Sequence, residues 1–283
     1  MTRELKLPNR LIVWTFGTLA AIAVAFFVGA SAPRAGQGPG GGSYRAPRTA
    51  DGMPNLNGIW QALNEANWEL VAHGPRLSPV IAFGAIGAAP PGVGVVEGNE
   101  IPYLPAALAK KNQNSENRLV LDPEVKCYLP GVPRATYMPY PFQVFQTPSN
   151  ILIAYEYAGA ARNIEMNGKG ETPLDSWMGH SVGRWEGETL VVDVNAFNDQ
   201  SWFDRAGDYH SDELKVTERY TRIAPDVLDY EATITDPQVF SRPWKIHMPL
   251  YRRLDNGARL MEFKCVELVE ELMYGHLTKQ GSE

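Results

Sequence analysis

Cysteine is scarce, with two residues in 283 and no C-x-x-C pair, which excludes thiolate zinc sites and a disulfide-dense miniprotein scaffold. Charge is scarce as well. Only 20% of residues are Asp, Glu, Lys or Arg while 44% are hydrophobic, so the chain can bury a sizeable core and is not disordered by composition. Basic residues are the minority, 26 against 32 acidic, and a net charge of -6 gives no general attraction for nucleic acid, which is not expected as a partner. Histidine is limited to five residues, with no H-x-H or H-E-x-x-H spacing. His180, His210 and His247 would form a metal site only if the fold gathered them with a carboxylate such as Glu156 or Glu218, so neither a metal nor a cofactor is expected.

What is present begins with an apolar run. Residues 11–32 (LIVWTFGTLAAIAVAFFVGASA) carry no charge and, at ~1.5 Å per residue, are long enough to cross a bilayer core. Arg3, Lys6 and Arg10 precede the run against a single Glu4, which places the N-terminus inside and the remainder outside the inner membrane. Ala30-Ser31-Ala32 has the small-x-small form of a cleavage site, but Pro33 follows it directly. Residues 1–32 therefore read either as a signal anchor or as a signal peptide. Residues 33–50 are rich in Gly and Pro and form a flexible linker, leaving residues 51–283 as a single exported domain. The expected location is the periplasmic face of the inner membrane, tethered through residues 11–32, or the periplasm itself. Four of the 26 basic and one of the 32 acidic residues precede residue 44, so the rest carries 22 against 31, too acidic to cling to anionic lipid. In an oxidising compartment Cys127 and Cys265 pair as a disulfide; the alternative is two buried thiols packing as small hydrophobes.

The exported part reads as consecutive strands. Residues 227–235 (VLDYEATIT) alternate, with Leu228, Tyr230, Ala232 and Ile234 on one face, and 214–223 precede them across an Ala-Pro-Asp turn. Residues 244–253 and 259–265 form a further pair around Asn256-Gly257, and Pro249 marks the first of these as an edge or bulged strand. Hairpins are also expected over 142–146 with 151–157 and over 181–185 with 189–194. With 58–63 and 163–166 this makes about ten strands and no long helical pattern between them. The fold class is mainly β, an antiparallel barrel or sandwich, and a barrel of this size can hold one small ligand. The apolar, Pro- and Gly-rich stretch 75–105 suits a lid, and Val266, Val269, Leu272, Met273, His276 and Leu277 recur at the spacing of a short C-terminal helix packed on the barrel.

The segments PNLNGIW (54–60), DPEVKCYLPGVPR (122–134) and WMGHSVGRWEG (177–187), followed by FNDQSW (197–202) and His210-Ser211, resemble an uncharacterised family of exported bacterial proteins across most of residues 50–265. No activity is attached to that family, so the resemblance implies export and transfers no catalytic residue. Gly58-Ile59-Trp60 is also similar to the Gly-x-Trp opening of lipocalin-like barrels, which implies that Trp60 closes one barrel end.

Polar and aromatic residues are densest over 177–210, where Trp177, His180, Arg184, Trp185, Asn198, Asp199, Trp202, Asp204 and His210 are costly to bury unless they complete a polar site. The expected ligand contacts are Trp60, Tyr155, Trp185 and Trp202 for area, with His180, Arg184, Asn198 and His210 as polar partners. Arg134, on a proline-stiffened turn, either grips an anionic group or makes a structural salt bridge. Catalysis would fall to His180 or His210 paired with Asp199 or Asp204 as acid and base. The sequence thus points to a membrane-tethered or periplasmic barrel binding a small, largely apolar molecule. A periplasmic hydrolase or lyase on the same scaffold and a structural envelope protein are the alternatives.

Overall fold

The computed structural model describes residues 44–78, 81, 88–169, 174–269, 272, 273 and 276. The apolar run 11–32 lies outside them, and among the described residues no helix is long and apolar enough to cross a membrane. Nine strands close into a barrel in chain order: β1 (Gly58–Ala62), β2 (Phe142–Gln146), β3 (Asn150–Tyr155), β4 (Ala161–Met166), β5 (His180–Glu186), β6 (Thr189–Asn195), β7 (Lys215–Ala224), β8 (Val227–Thr235) and β9 (Trp244–Arg252). All neighbours run antiparallel except β4 and β5, which are parallel, and β9 returns to β1 through Trp60 opposite Arg252 and Ala62 opposite Leu250.

The two-residue period decides which side chains enter the barrel. On β7 these are Val216, Glu218, Tyr220 and Arg222; on β8 they are Leu228, Tyr230, Ala232 and Ile234, with Tyr220 directly opposite Tyr230. Trp60, Phe142, Ile151, Ile153 and Tyr230 are fully buried and fill much of the interior. Trp60 closes one end, its Nε1 donating to the Leu56 carbonyl at 2.9 Å and its ring 5.7 Å from the Arg222 guanidinium carbon. Arg222 is held there by the carbonyls of Asn55 and Pro225. A side chain at Gly58, with φ of 147°, would press on that indole and on Arg252 at 3.3 Å, which explains why glycine precedes the tryptophan by two.

The other end is covered by segments inserted between strands, including α1 (Pro105–Glu116), α2 (Arg118–Leu121) and α3 (Arg134–Tyr137). The strand pattern did not announce α1, because only Ala107 and Asn114 of its twelve residues are buried and it carries almost no apolar stripe. The 75–105 stretch is a strap rather than a free lid over its described residues. His73 pairs with Gly92, Arg76 with Ala89, and Val96 with Ile246, so residues 95–96 continue alongside β9 where β1 has ended.

Three local expectations are corrected. Residues 259–265 form no strand, because both flanks of β9 are already taken by β1 and β8 and the barrel closes without a tenth member. Pro249 accordingly sits inside the barrel wall, one position beyond Leu250, the last residue paired to β1, so its missing N–H costs no ladder bond on that side. Val269, Leu272, Met273 and His276 are helical, but Val266, Leu272 and Met273 remain exposed, so the described part of this helix does not bury its apolar face on the barrel. The chain beyond β9 is secured differently. Cys127 and Cys265 form a disulfide with Cα atoms 5.8 Å apart, Leu268 N–H donates to the Val125 carbonyl, and Phe263 packs against Tyr140 and Tyr157.

Candidate functional site

An ion pair crosses the barrel interior. Arg162 on β4 donates through Nη2 to Glu218 on β7, three strands away around the wall, and through Nε to Ser181 Oγ on β5 at 3.0 Å. Both charged side chains are essentially inaccessible to solvent. Tyr220 and Tyr230 each donate to Glu218 Oε1 at 2.8 Å, so the carboxylate has three donors and its charge is fully compensated. Burial works against the Arg162 charge, but the facing Glu218 outweighs it and holds the guanidinium ionised.

Three polar atoms of this cluster, Arg162 Nη1, the Tyr155 hydroxyl and the Thr136 hydroxyl, make no hydrogen bond of good geometry, and Tyr155 interacts only loosely with the other two. They are neighbours, since Tyr155 on β3 lies beside both Arg162 and Thr136, the latter reaching in from α3. Burial raises the Tyr155 phenol above its ordinary value and outweighs the opposing Arg162 charge, so it is a neutral donor at any working pH. Buried donors with poor bonds are costly, and a group of them in a barrel has hydrogen-bonding capacity left for an acceptor. The surrounding walls are apolar: Ile151, Ile153, Ile164, Val192 and Val194 are buried on the adjoining strands.

A second polar network lies in the cap. Arg134 is wholly engaged, donating to Asn67 Oδ1 at 2.9 Å, Asp122 Oδ1 at 3.1 Å and Glu124 Oε2 at 2.8 Å, so it makes the structural salt bridge rather than holding an anion. Burial raises the Glu124 carboxyl, but the Arg205 hydrogen bonds and the Arg134 and Arg205 charges prevail and bring it down to about 2. His210 Nδ1 faces the Ser211 carbonyl at 2.8 Å and must carry the proton there, which leaves Nε2 to accept from Ser201 Oγ at 2.8 Å. Burial lowers the His210 pKa, so the ring is neutral. This is the geometry of a base-activated hydroxyl, although both residues are shut from solvent.

Asp204 and Asp208 are both buried and in contact in the same cap. Asp204 accepts from the backbone N–H groups of Leu70, Ala206 and Asp208, and Asp208 accepts from the Tyr103 hydroxyl at 2.7 Å. Burial and then the Asp208 charge hold Asp204 well above the ordinary carboxylate range, so it retains a proton in the folded state. Stability from that proton is fully present below the unfolded value near 4 and declines as pH rises through the folded one. Asn at position 208 can accept from Tyr103 and donate a permanent N–H to Asp204. Asp208→Asn is therefore expected to flatten the fall of stability above about pH 4 and to raise the thermal midpoint at pH 7, read by thermal unfolding across pH.

The remaining residues singled out in the sequence are placed as follows. Tyr155 is in the interior, half-buried Trp185 packs against the core from the inner face of β5, and Trp202 is buried in the cap. His180 and Arg184 alternate with the inward Ser181 and Gly183 and so lie on the outer face of β5, where Arg184 pairs with Asp193 and Glu186. Asp199 is exposed, and Asn198 is half-buried, its side chain accepting from Gln200 N–H. No hydrogen bond joins His180 or His210 to Asp199 or Asp204 among the described residues. The structure thus brings Tyr155 to the interior and Trp60 to its closed end, and does not bring His180, Arg184 and His210 to one pocket. The partners that sequence reading passed over, Arg162, Glu218, Tyr220, Tyr230 and Thr136, leave one usable trace. Arg162 shares its strand face with Ile164 and Met166, and Glu218 shares its face with Val216 and Tyr220, so each charge stands on an apolar face and needs the other.

No grouping of three or more His, Cys, Asp or Glu suited to a metal ion occurs among the described residues. Comparison with known protein families finds no match, and a search of curated proteins returns no relative.

Proposed function

We propose that this barrel binds a small, largely apolar molecule carrying one oxygen acceptor, held at Arg162 Nη1 and the hydroxyls of Tyr155 and Thr136. The observation behind it is the convergence of these three buried groups, none with a hydrogen bond of good geometry, within apolar walls. Because Glu218 already neutralises Arg162, the acceptor needs no net charge, and a ketone, ester or hydroxyl oxygen suits the site. Export through the N-terminal segment places such a carrier on the periplasmic side.

Native mass spectrometry of the purified protein is expected to show a bound organic species. Tyr155→Phe and Thr136→Val are expected to lose it while changing thermal stability little, since each removes a buried hydroxyl that makes no hydrogen bond of good geometry. Tyr230→Phe, by contrast, removes a bond to a buried carboxylate and is expected to cost about 1.5–3 kcal/mol. An empty barrel, with Tyr155→Phe as destabilising as Tyr230→Phe, would overturn the reading. The Ser201–His210 pair favours one alternative, acyl transfer. Ester hydrolysis by the purified protein that vanishes in Ser201→Ala would move the function there.

A further inference from the structure

We infer that His73 is a proton-dependent latch on the strap: charged, its ring ties the two halves of a short ribbon together, and neutral, it lets them part. The ribbon pairs residues 73–76 with 89–92. His73 N–H donates to the Gly92 carbonyl at 2.9 Å and Gly92 N–H donates back to the His73 carbonyl at 3.0 Å, while Arg76 and Ala89 exchange the same two bonds at 3.1 and 3.0 Å. Four backbone bonds make a short ladder. Pro90 and Pro91 stand between the two bonded positions of the return half and have no N–H with which to lengthen it.

The His73 ring supplies what the prolines cannot. Nε2 faces the Pro90 carbonyl oxygen across the ribbon at 3.0 Å, and Nδ1 faces the Val71 carbonyl oxygen at 2.9 Å. A carbonyl oxygen only accepts, so each ring nitrogen must bring a hydrogen to make its bond. A neutral imidazole carries one such hydrogen and turns a lone pair on one of the two oxygens, whereas the imidazolium carries both. Only the charged ring completes the arrangement. Its counter-charge is in place, since Glu69 Oε2 lies 3.7 Å from His73 Nδ1 and 2.6 Å from Arg76 Nη2, and the His73 and Glu69 side chains are only 6% and 10% exposed. Gly92 makes room for the ring. A Cβ there would stand 2.5 Å from His73 Cε1 and 3.2 Å from Glu65 Cβ.

The sign follows from the proton count. Both ring bonds are complete while His73 is charged, and one is lost as pH rises through its titration, in the range where imidazoles change charge. Release of the ribbon has a place to act. Arg76, Leu77 and Ala89 form one wall of a cleft of about 150 Å³ whose other side includes Trp68, Ser115 and Ala206, so parting the ribbon opens the cap there. The charged groups that face the latch are Glu65, Glu69 and Arg76, and buried Asp204 reaches the same segment by accepting from Leu70 N–H.

The test is amide hydrogen exchange of the full purified chain from about pH 5 to about pH 9, corrected for intrinsic exchange rates and read on peptides covering 70–95, with β7 and β8 as internal reference. Protection at Gly92 is expected to fall by about tenfold or more as pH rises, with the reference strands unchanged. His73→Phe is expected to show the low protection at every pH. Glu69→Gln keeps the ring and removes its counter-charge, so the same fall is expected at lower pH, and this variant carries the test if His73→Phe does not fold. Protection that stays flat across the range in the unaltered chain, or a fall unmoved in Glu69→Gln, would overturn the inference. A pH dependence that survives in His73→Phe would also overturn it and assign the effect to Asp204. The latch shares no residue with the Arg162 cluster, so its outcome is independent of the barrel ligand.

Discussion

Replacing Glu218 with Ala is expected to cost the barrel about 3–5 kcal/mol, the range for removing one member of a buried ion pair. The loss exceeds that of a single contact because three groups are stranded together: the Arg162 guanidinium, already short of one partner at Nη1, and the hydroxyls of Tyr220 and Tyr230. Denaturant unfolding measures it as a lowered midpoint at unchanged slope. The informative companion is the double change Arg162→Met with Glu218→Leu, which removes both charges and leaves apolar side chains against the surrounding walls. Its midpoint is expected to lie well above that of Glu218→Ala, because a charge pair in low dielectric repays little beyond its own desolvation. A double variant as unstable as the single one would mean that the pair sets the barrel's shape and not only its charge balance. The two hydroxyls still lose their acceptor in the double variant, so full recovery needs Tyr220→Phe and Tyr230→Phe as well.

Opening the Cys127–Cys265 bridge is the second large effect. The bridge spans 138 residues of sequence and so encloses eight of the nine strands. In the chain-entropy account, closing a loop of that length removes about 5 kcal/mol of freedom from the unfolded chain, and measured losses on removing native disulfides run about 2–5 kcal/mol. A drop of several degrees or more in the thermal midpoint is expected on reduction, and the same drop without reductant in Cys265→Ser. Among the described residues the chain beyond Arg252 adds no strand, so the barrel hydrogen bonds survive reduction while the terminal segment gains freedom. Protease is then expected to cut beyond residue 252 in the reduced protein before it cuts within β1 to β9. Equal susceptibility with and without reductant would show that the Phe263 packing against Tyr140 and Tyr157 suffices to hold this segment.

Much of the barrel was legible because its strands alternate so regularly. The strands over 227–235 and 189–194 could be read nearly residue by residue, since a two-residue period with one apolar face has one folded solution. Pairing is less local than periodicity, and there the reading failed. Residues 259–265 look like a strand beside β9, but nothing in their own sequence shows that β1 has already taken that edge. α1 escaped for the opposite reason, being a helix with two buried residues and no stripe to read. The dense polar cluster over 177–210 was read as one site, yet alternation sends His180 and Arg184 outward while the following loop carries His210 into the cap. Arg162 and Glu218 are separated by 56 residues, and only the closed barrel sets them face to face.

The seam between β1 and β9 joins residues such as Gln61 and Arg253, 192 positions apart, and it is the last strand pairing of the barrel that synthesis makes available. A polypeptide whose opening segment must wait for its final one gains little by maturing early. Such long-range closure slows self-assembly, and the barrel cannot close until nearly all of the chain has been made. The order of the strands thus makes closure of the barrel a late event in its folding.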